Sequence, residues 1–572
     1  MATIISILGG VGLFLLGMAV MTDGLKTLAG SALRGVLAKA AATPVRGTIW
    51  GAIITLLVQS SSATTMTTIG LVSAGLLTFP QGLSLVFGAN IGTTGTGWLV
   101  ALLGVRISLT AAALPIVFVG ALLKLVGRGR WAGAGSAIAG FALILVGLTT
   151  LQQGMGGLAE QLNPADLPSV IGGAGVAWWS GILGVLVLVL AGIVMTTVMQ
   201  SSTAAIAVTL SALYAGAVGL DQALALVIGQ NIGTATSSAM AAVGASSTAK
   251  RLAVAYIAFK LIAAVVALLL FLPVIRLMMR ATASIDAVTL LAIYHTGYNV
   301  VGVAILLPLI VPFTRMIERI VPERGNPLTR CLDPASLTSS IVAVEAGRRT
   351  VARVLGSLCL STTDRLGSVL RGGAAAYSID NAMLHQTSDA LQETRVFLSH
   401  VTEQLPSDEE QRWFISTLHA LEHTIRLAEA IKENVEIGRD GVEERRAVAL
   451  CAKAMRSASS IATLLVHSPV PKSEEPRPTE QPTMVGVRPV DTDTDATPAV
   501  SLDKAIVCLE HCSTELTDLL PSHRRATLES VASGTLTAND AIAHVEMVRF
   551  LDRLAHHAWR ASAHIAGAIV RY

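Results

Sequence analysis

The chain has 572 residues, of which 52% are hydrophobic and only 14% charged. Its mean hydropathy of +0.64 excludes an ordinary soluble protein. Residues 1–312 carry 13 Lys and Arg against 5 Asp and Glu, and the remainder carries 28 and 33, so the net charge of +3 averages a basic apolar part and a mildly acidic tail. That balance supplies no argument for nucleic acid.

Taken in order, the apolar runs at 4–21, 107–123, 132–151, 252–273 and 287–311 are each about the length that crosses a ~30 Å hydrocarbon core, and they predict conventional spans in a lipid bilayer. The first run lacks the charged start and small-residue cleavage site of a secretory signal and is expected to stay as a span. Between these runs, 46–104 and 181–245 are apolar but interrupted by polar islands. Non-helical backbone at membrane depth survives only against protein or a wet cavity, so broken or re-entrant helices are expected there.

The islands repeat. Gln59-Ser60-Ser61-Ser62 returns as Gln200-Ser201-Ser202-Thr203, and Gly88-Ala89-Asn90-Ile91-Gly92-Thr93-Thr94 returns as Gly229-Gln230-Asn231-Ile232-Gly233-Thr234-Ala235, both at an offset of 141. A shared offset over two separated motifs indicates an internal duplication. Upstream, Gly17, Gly24, Leu28 and Ala29 match Gly147, Gly154, Leu158 and Ala159 at an offset of 130. Before the first tetrad lie Lys26, Arg34, Lys39 and Arg46, whereas 152–180 carries only Glu160 and Asp166. The bias of Lys and Arg toward cytoplasmic loops therefore places the first pre-tetrad segment inside and the second outside, which inverts the two copies. Lys124, Arg128, Arg130, Lys250, Arg251, Arg315, Arg319 and Arg324 also fall inside on this path, while Arg106, Arg276 and Arg280 fall outside against the bias. The expected membrane domain is 1–312, with repeat one at about 5–106 and repeat two at about 135–250.

Past Pro312 the pattern turns to charged amphipathic helices, such as the face Met547, Leu551, Leu554 and Ala558 beside Arg549, Asp552 and Arg553. A linker is expected at 313–335 and a helical domain at 336–572, with the Pro-, Thr- and acid-rich stretch 468–500 as a disordered insert. Cys331, Cys359, Cys451, Cys508 and Cys512 all lie in this tail without metal spacing, which suggests reduced thiols and a cytoplasmic tail. The fold class expected is all-α: a polytopic membrane protein with two inverted repeats, followed by a soluble helical bundle.

The tetrads offer hydroxyls and an amide that both donate and accept, and a helix break exposes terminal N–H and C=O groups. Donors and helix N-termini suit an anion, whereas carbonyl and hydroxyl oxygens suit a hard cation such as sodium. Two inverted copies should bring the islands together near the midplane, where secondary transporters bind substrate. Ser, Thr and Gly also serve tight helix packing, but Gln and Asn repeated at one offset favour a site. With His295 its single histidine, no cysteine and five carboxylates mostly at loop ends, residues 1–312 offer neither a metal cluster nor a general acid/base pair. An enzyme is not expected, and no cofactor.

These motifs closely resemble the type II sodium/phosphate cotransporter family over roughly residues 10–312. The resemblance implies sodium-driven transport of inorganic phosphate in a cell membrane, with sodium as coupling ion, and carries the phosphate and sodium site onto Gln59, Ser60, Ser61, Ser62, Thr64, Asn90, Thr93, Gln200, Ser201, Ser202, Thr203, Asn231 and Thr234. Alternatives in the same terms are a phosphate exporter and a membrane phosphate sensor that binds without translocating. The chain departs from the family's His-x-x-Phe-Asn pattern, reading Tyr256-Ile257-Ala258-Phe259-Lys260, while His295-Thr296-Gly297-Tyr298-Asn299 survives in the last span. Lys260 lies roughly 13 Å into its span. It either snorkels or faces a wet crevice without function, or it is a charge partner that neutralises phosphate or stands in for one sodium.

The tail resembles PhoU-like helical domains through Leu421-Glu422-His423-Thr424-Ile425-Arg426 and Leu551-Asp552-Arg553-Leu554-Ala555-His556-His557. That resemblance implies a regulatory role or homodimerisation through the tail. Arg426 stands where the PhoU pattern has a metal carboxylate, which argues against metal there. His556 and His557, about 100° apart on a helix, are expected to hold separate surface positions.

Overall fold

The structure is a computed structural model that describes residues 2–29, 43–104, 110–161, 167–172, 175–243, 245–323, 326–372, 381–401, 408–433, 435–438, 441–467 and 502–567. Arg34, Lys39, Arg106, Asp166, Arg324 and the insert 468–500 lie outside the described residues. The described elements are all helical, and the chain divides into two compact units, Met1–Arg324 and Gly325–Tyr572.

In the first unit, α1 (Ala2–Ala29) packs along α6 (Arg130–Ala159) through glycines. A Cβ on Gly10 would lie 2.9 Å from Gly147 O, and one on Gly147 would lie 2.9 Å from Gly10 O. Gly17 and Gly140 are reciprocal in the same way, at 2.8 and 2.6 Å, and a Cβ on Gly24 would lie 2.6 Å from Gly133 O. As one residue number rises its partner's falls, so the helices run antiparallel. Adding the repeat offset of 130 to Gly10 and Gly17 gives Gly140 and Gly147, so one contact pair maps onto the other by a twofold rotation. The repeats are therefore inverted, and small residues let the two backbones meet on the axis.

Each repeat then makes the same hairpin. In repeat one, α2 (Pro44–Val58) stops at Gln59, α3 (Ser61–Ser73) leaves at an angle, and α4 (Phe79–Leu99) returns after a turn at Gly75, whose φ is 74°. In repeat two, α7 (Trp178–Met199) stops at Gln200, and α8 (Ser202–Tyr214) leads through Gly216, with φ 78°, into α9 (Leu220–Gly233). Both returning helices begin with a glutamine three residues in that accepts the cap N–H: Gln81 Oε1 from Thr78 at 2.8 Å and Gln222 Oε1 from Gly219 at 2.9 Å. With 13 residues each, α3 and α8 reach only ~20 Å, short of the ~30 Å core. Neither helix is therefore long enough to span the core alone.

The unit continues with α5 (Thr110–Val126) between the repeats, then α10 (Ala235–Ala242), α11 (Ser247–Leu269), α12 (Phe271–Ala281), α13 (Ala287–Leu306) and α14 (Ile310–Ile320). Six of its helices are long and apolar enough to cross a membrane. Apolar side chains such as Leu8, Phe118, Leu190 and Val198 are exposed, as are Trp131, Trp178 and Trp179 at helix starts. That is the pattern of a lipid-facing belt edged by aromatic anchors. The chain is a multi-pass membrane protein.

Two apolar runs expected as single spans are each cut. The run 252–273 ends at Leu270, where α12 starts, and 287–311 ends before α14, which continues to Ile320. Pro273 and Pro312 sit in the first turns of the new helices, where a missing N–H is harmless. Both new helices are amphipathic: Phe271 and Ile275 are buried while Arg276 and Arg280 are exposed, and Ile310, Phe313 and Ile317 are buried while Arg315 and Arg319 are exposed. Such an amphipathic pattern suits the membrane interface.

The second unit is a helical bundle of α15 (Ser340–Leu370), α16 (Asn381–Ser399), α17 (Asp408–Ile431), α18 (Val442–His467), α19 (Leu502–Ala532) and α20 (Ala538–Ala566). The face expected on α20, Met547, Leu551, Leu554 and Ala558, is buried. α18 is apolar enough to be mistaken for a span, yet Val448, Cys451, Met455 and Ile461 place it in this core. All five cysteines are free thiols.

Candidate functional site

Among the described residues, Gln59 and Gln200 are the only non-glycine residues at positive φ. Their dihedrals are nearly the same, φ 55° and ψ 28° against φ 50° and ψ 21°. Left-handed backbone on a residue with a Cβ persists only where its surroundings impose it, and such positions cluster at functional sites. Each glutamine folds its amide back onto the helix it ends: Gln59 Nε2 donates to Leu56 O at 2.5 Å and Gln200 Nε2 to Thr197 O at 2.6 Å. Gln59 Oε1 also accepts from Thr96 Oγ1 at 2.6 Å.

The next serine is the N-cap of the new helix. Ser60 Oγ accepts from Ala63 N and Ser201 Oγ from Ala204 N, both at 3.2 Å. The N–H groups of Ser61 and Ser62, and of Ser202 and Thr203, precede the first helical bonds and have no acceptor within their helices. These two N-termini open on one cavity of about 560 Å³, lined by all eight tetrad residues together with Thr65, Thr196, Thr234, Ser237, Ser238 and Tyr256. At its edge the exposed Lys26 and Asp23 pair at 3.6 Å. Paired half-helix N-termini with hydroxyls between them suit an anion.

Behind it lies a pocket of about 10 Å³ lined by Ser61, Asn90, Thr93, Ser202, Ile206, Asn231, Thr234, Tyr256, Lys260 and His295. The two asparagine islands meet here. Tyr256 OH donates to Asn90 Oδ1 at 3.3 Å, and Lys260 Nζ donates to Asn231 Oδ1. One turn of α11 therefore serves both repeats. Asn231 Nδ2 donates to Asn299 Oδ1 at 3.2 Å, and Asn299 Nδ2 donates to His295 O at 2.8 Å.

The structure thus brings Gln59, Ser60, Ser61, Ser62, Gln200, Ser201, Ser202, Thr203 and Thr234 to the larger cavity and Asn90, Thr93, Asn231 and Lys260 to the smaller one. Thr64 lines neither. Its hydroxyl donates to Ser60 O at 3.1 Å and accepts from Thr55 Oγ1 at 2.9 Å, so it braces the break from behind. Sequence reasoning did not assign Tyr256, His295 or Thr196 to the site. The i,i+4 spacing of Tyr256 and Lys260 was the available signal for the first. Thr196 has a buried hydroxyl without a partner.

In the helical unit, Glu422 pairs with Arg426 at 3.3 Å, and no group of three metal-ligating side chains occurs among the described residues. His556 is exposed, as expected of a surface position, whereas His557 is half-buried. Packing of α17 on α20 brings His423 Nδ1 within 3.2 Å of His557 Nδ1, with His556 and His564 rings 6.4 and 5.9 Å from that of His423. Burial and then the neighbouring imidazoles and arginines lower His423 and His557 to about 4. Their folded pKa values lie below the ordinary ~6.5, so between about pH 6.5 and 4 the unfolded chain binds the extra protons. This contribution to the stability of the helical unit is expected in full above ~6.5 and to be lost as pH falls toward 4. Thermal unfolding against pH tests it: the slope should flatten in His423→Gln.

Inverted repeats, broken helices and a shared polar cavity at their meeting point define a secondary transporter fold. Residues 13–153 and 184–304 match the Na+/Pi-cotransporter family, and the chain belongs to that family through its membrane unit. It is 29% identical over 311 residues to the uncharacterised protein YqeW of Bacillus subtilis, covering 54% of this chain and 96% of the relative. It is 26% identical over 422 residues to the putative inorganic phosphate export protein YjbB of Escherichia coli, covering 72% of this chain and 74% of the relative. A shorter stretch of 99 residues, 17% of this chain and 15% of the relative, is 37% identical to the sodium-dependent phosphate transport protein 2A of Rattus norvegicus. No solved structure matches.

Proposed function

We propose that the chain carries inorganic phosphate across the membrane with sodium as coupling ion, by exposing the cavity between its two tetrads alternately to either side. The observation that carries this reading is the pair of left-handed breaks at Gln59 and Gln200, which turns two half-helix N-termini onto one cavity. Phosphate oxygens accept from the free N–H groups and hydroxyls, while amide and hydroxyl oxygens beneath them suit sodium. The twofold relation of the repeats makes the two access states equivalent in kind, so the gradients set the direction. Relatives are named both for sodium-dependent phosphate transport and for phosphate export. The unpaired cysteines of the helical unit support a cytoplasmic position for it.

Purified full-length protein in proteoliposomes, given radiolabelled phosphate, tests the reading. Accumulation that requires an imposed sodium gradient is expected. Phosphate binding without flux would instead favour a membrane sensor. Gln200→Gly separates backbone from side chain, since glycine keeps the left-handed break while the amide is lost. The variant is expected to fold with an unchanged Tm and to transport ~10- to 100-fold more slowly, the value of one lost hydrogen bond to a charged ligand.

A further inference from the structure

Among the described residues of the membrane unit, Lys260 is the one buried Lys, Arg, Asp or Glu, with 3% exposure. An ammonium at this depth normally demands a carboxylate or water. Lys260 has no carboxylate partner among the described residues, and its neighbours are those of a bound metal cation. Asn231 turns its amide oxygen to Nζ, and that orientation is fixed because the other end of the amide donates to Asn299 Oδ1 at 3.2 Å. The ring of Tyr256 lies 5.2 Å from Nζ, close enough for a cation–π contact.

Beside Nζ, the hydroxyl residues Ser61, Thr93, Ser202 and Thr234 line the pocket of about 10 Å³. That volume holds about one water-sized particle and is far too small for phosphate, which fits the cavity of about 560 Å³ in front. The twofold relation sharpens the contrast. Of two equivalent asparagines, Asn90 takes a neutral phenol at 3.3 Å, and Asn231 takes the tethered amine of Lys260.

We infer that the Lys260 ammonium group takes one cation subsite of the transport site, so that each phosphate travels with one sodium ion fewer than the same site would carry without the lysine. The inference about coupling rests on the proposed transport; the inference about cation binding does not. Removing the lysine frees oxygen ligands for sodium and adds one mobile charge per cycle. At −100 mV that charge changes the limiting phosphate accumulation by roughly 50-fold.

The test compares wild type with Lys260→Asn and, should that variant fail to fold, Lys260→Gln. In detergent without phosphate, sodium chloride in place of choline chloride is expected to raise the Tm of the neutral variants by several degrees more than that of wild type. In proteoliposomes, dual-label flux is expected to show about one more sodium per phosphate in the variants. Equal sodium stabilisation in wild type and variants overturns the inference, as does a weaker phosphate KM with an unchanged sodium ratio, which would make Lys260 the counter-ion of phosphate instead. If neither protein moves phosphate but the variants alone gain sodium stabilisation, the transport reading fails and the cation subsite stands.

Discussion

Gly88→Val and Gly229→Val are each expected to abolish folded, monodisperse protein, with losses above ~3 kcal/mol. A Cβ on Gly88 would stand 1.9 Å from Thr48 O, and one on Gly229 would stand 1.9 Å from Val189 O. Overpacking against side chains typically costs ~1–3 kcal/mol because rotamers can give way. Here the obstacle is a carbonyl inside the hydrogen-bond ladder of α2 or α7, which cannot move without opening its helix. The same crossing repeats at Gly51, 2.1 Å from Leu85 O, and at Gly192, 2.3 Å from Leu226 O.

The glycines matter for function because they set how closely α4 and α9 lie behind the broken helices. Asn90 and Asn231 each follow a crossing glycine by two residues, so separating the backbones would withdraw both asparagines from the inner pocket. Gly9→Ala is the control, since nothing lies within 4 Å of the new methyl; it should be neutral or stabilising by up to ~1 kcal/mol. Size-exclusion profiles and Tm in detergent read all three variants.

The duplication was legible because it is written in residue numbers: the 141-residue offset found the tetrads, both asparagine islands and the breaks between them. Inversion was legible through the scarcity of Lys and Arg before the second tetrad, and the reciprocal Gly10–Gly147 and Gly17–Gly140 contacts give its geometry. Tertiary pairings were not legible. Lys260 meets Asn231 across 29 residues and Tyr256 meets Asn90 across 166, distances at which no periodicity links one partner to the other. Thr64 lines neither cavity for a local reason, because a hydroxyl near a motif is equally able to bond its own helix one turn back. Hydropathy alone likewise could not cut 252–273 at Leu270. The apolar face of an interfacial helix continues the count of the span before it, and only the helical spacing of Arg276 and Arg280 separates them.

In the helical unit the largest loss is expected from Glu345→Gln. The buried Glu345 carboxylate accepts from Arg348 Nε at 2.7 Å and Nη2 at 2.8 Å, and from Arg349 Nε at 2.7 Å. The two guanidiniums then donate outward, Arg348 Nη1 to Ile565 O at 3.3 Å and Arg349 Nη1 to Val466 O at 3.1 Å. One carboxylate on α15 thus orients two arginines that hold the last turns of α20 and α18. Neutralising it leaves two buried positive charges side by side, and breaking a buried pair in this way typically costs ~3–5 kcal/mol. Burial by itself would raise the Glu345 carboxyl, but the hydrogen bonds and charge of Arg348, then those of Arg349, outweigh it and hold the group below the ordinary carboxylate range. The folded pKa is depressed, so its stabilisation is present above the ordinary value of ~4.3 and is lost as pH falls through that value and the depressed one. Hydrogen exchange of α15 in the full-length protein should therefore accelerate on acidification in wild type, while in Glu345→Gln it is fast already at neutral pH and this part of the acid response is gone. If the exchange of α15 is unchanged in the variant, the carboxylate does not hold the two helix ends.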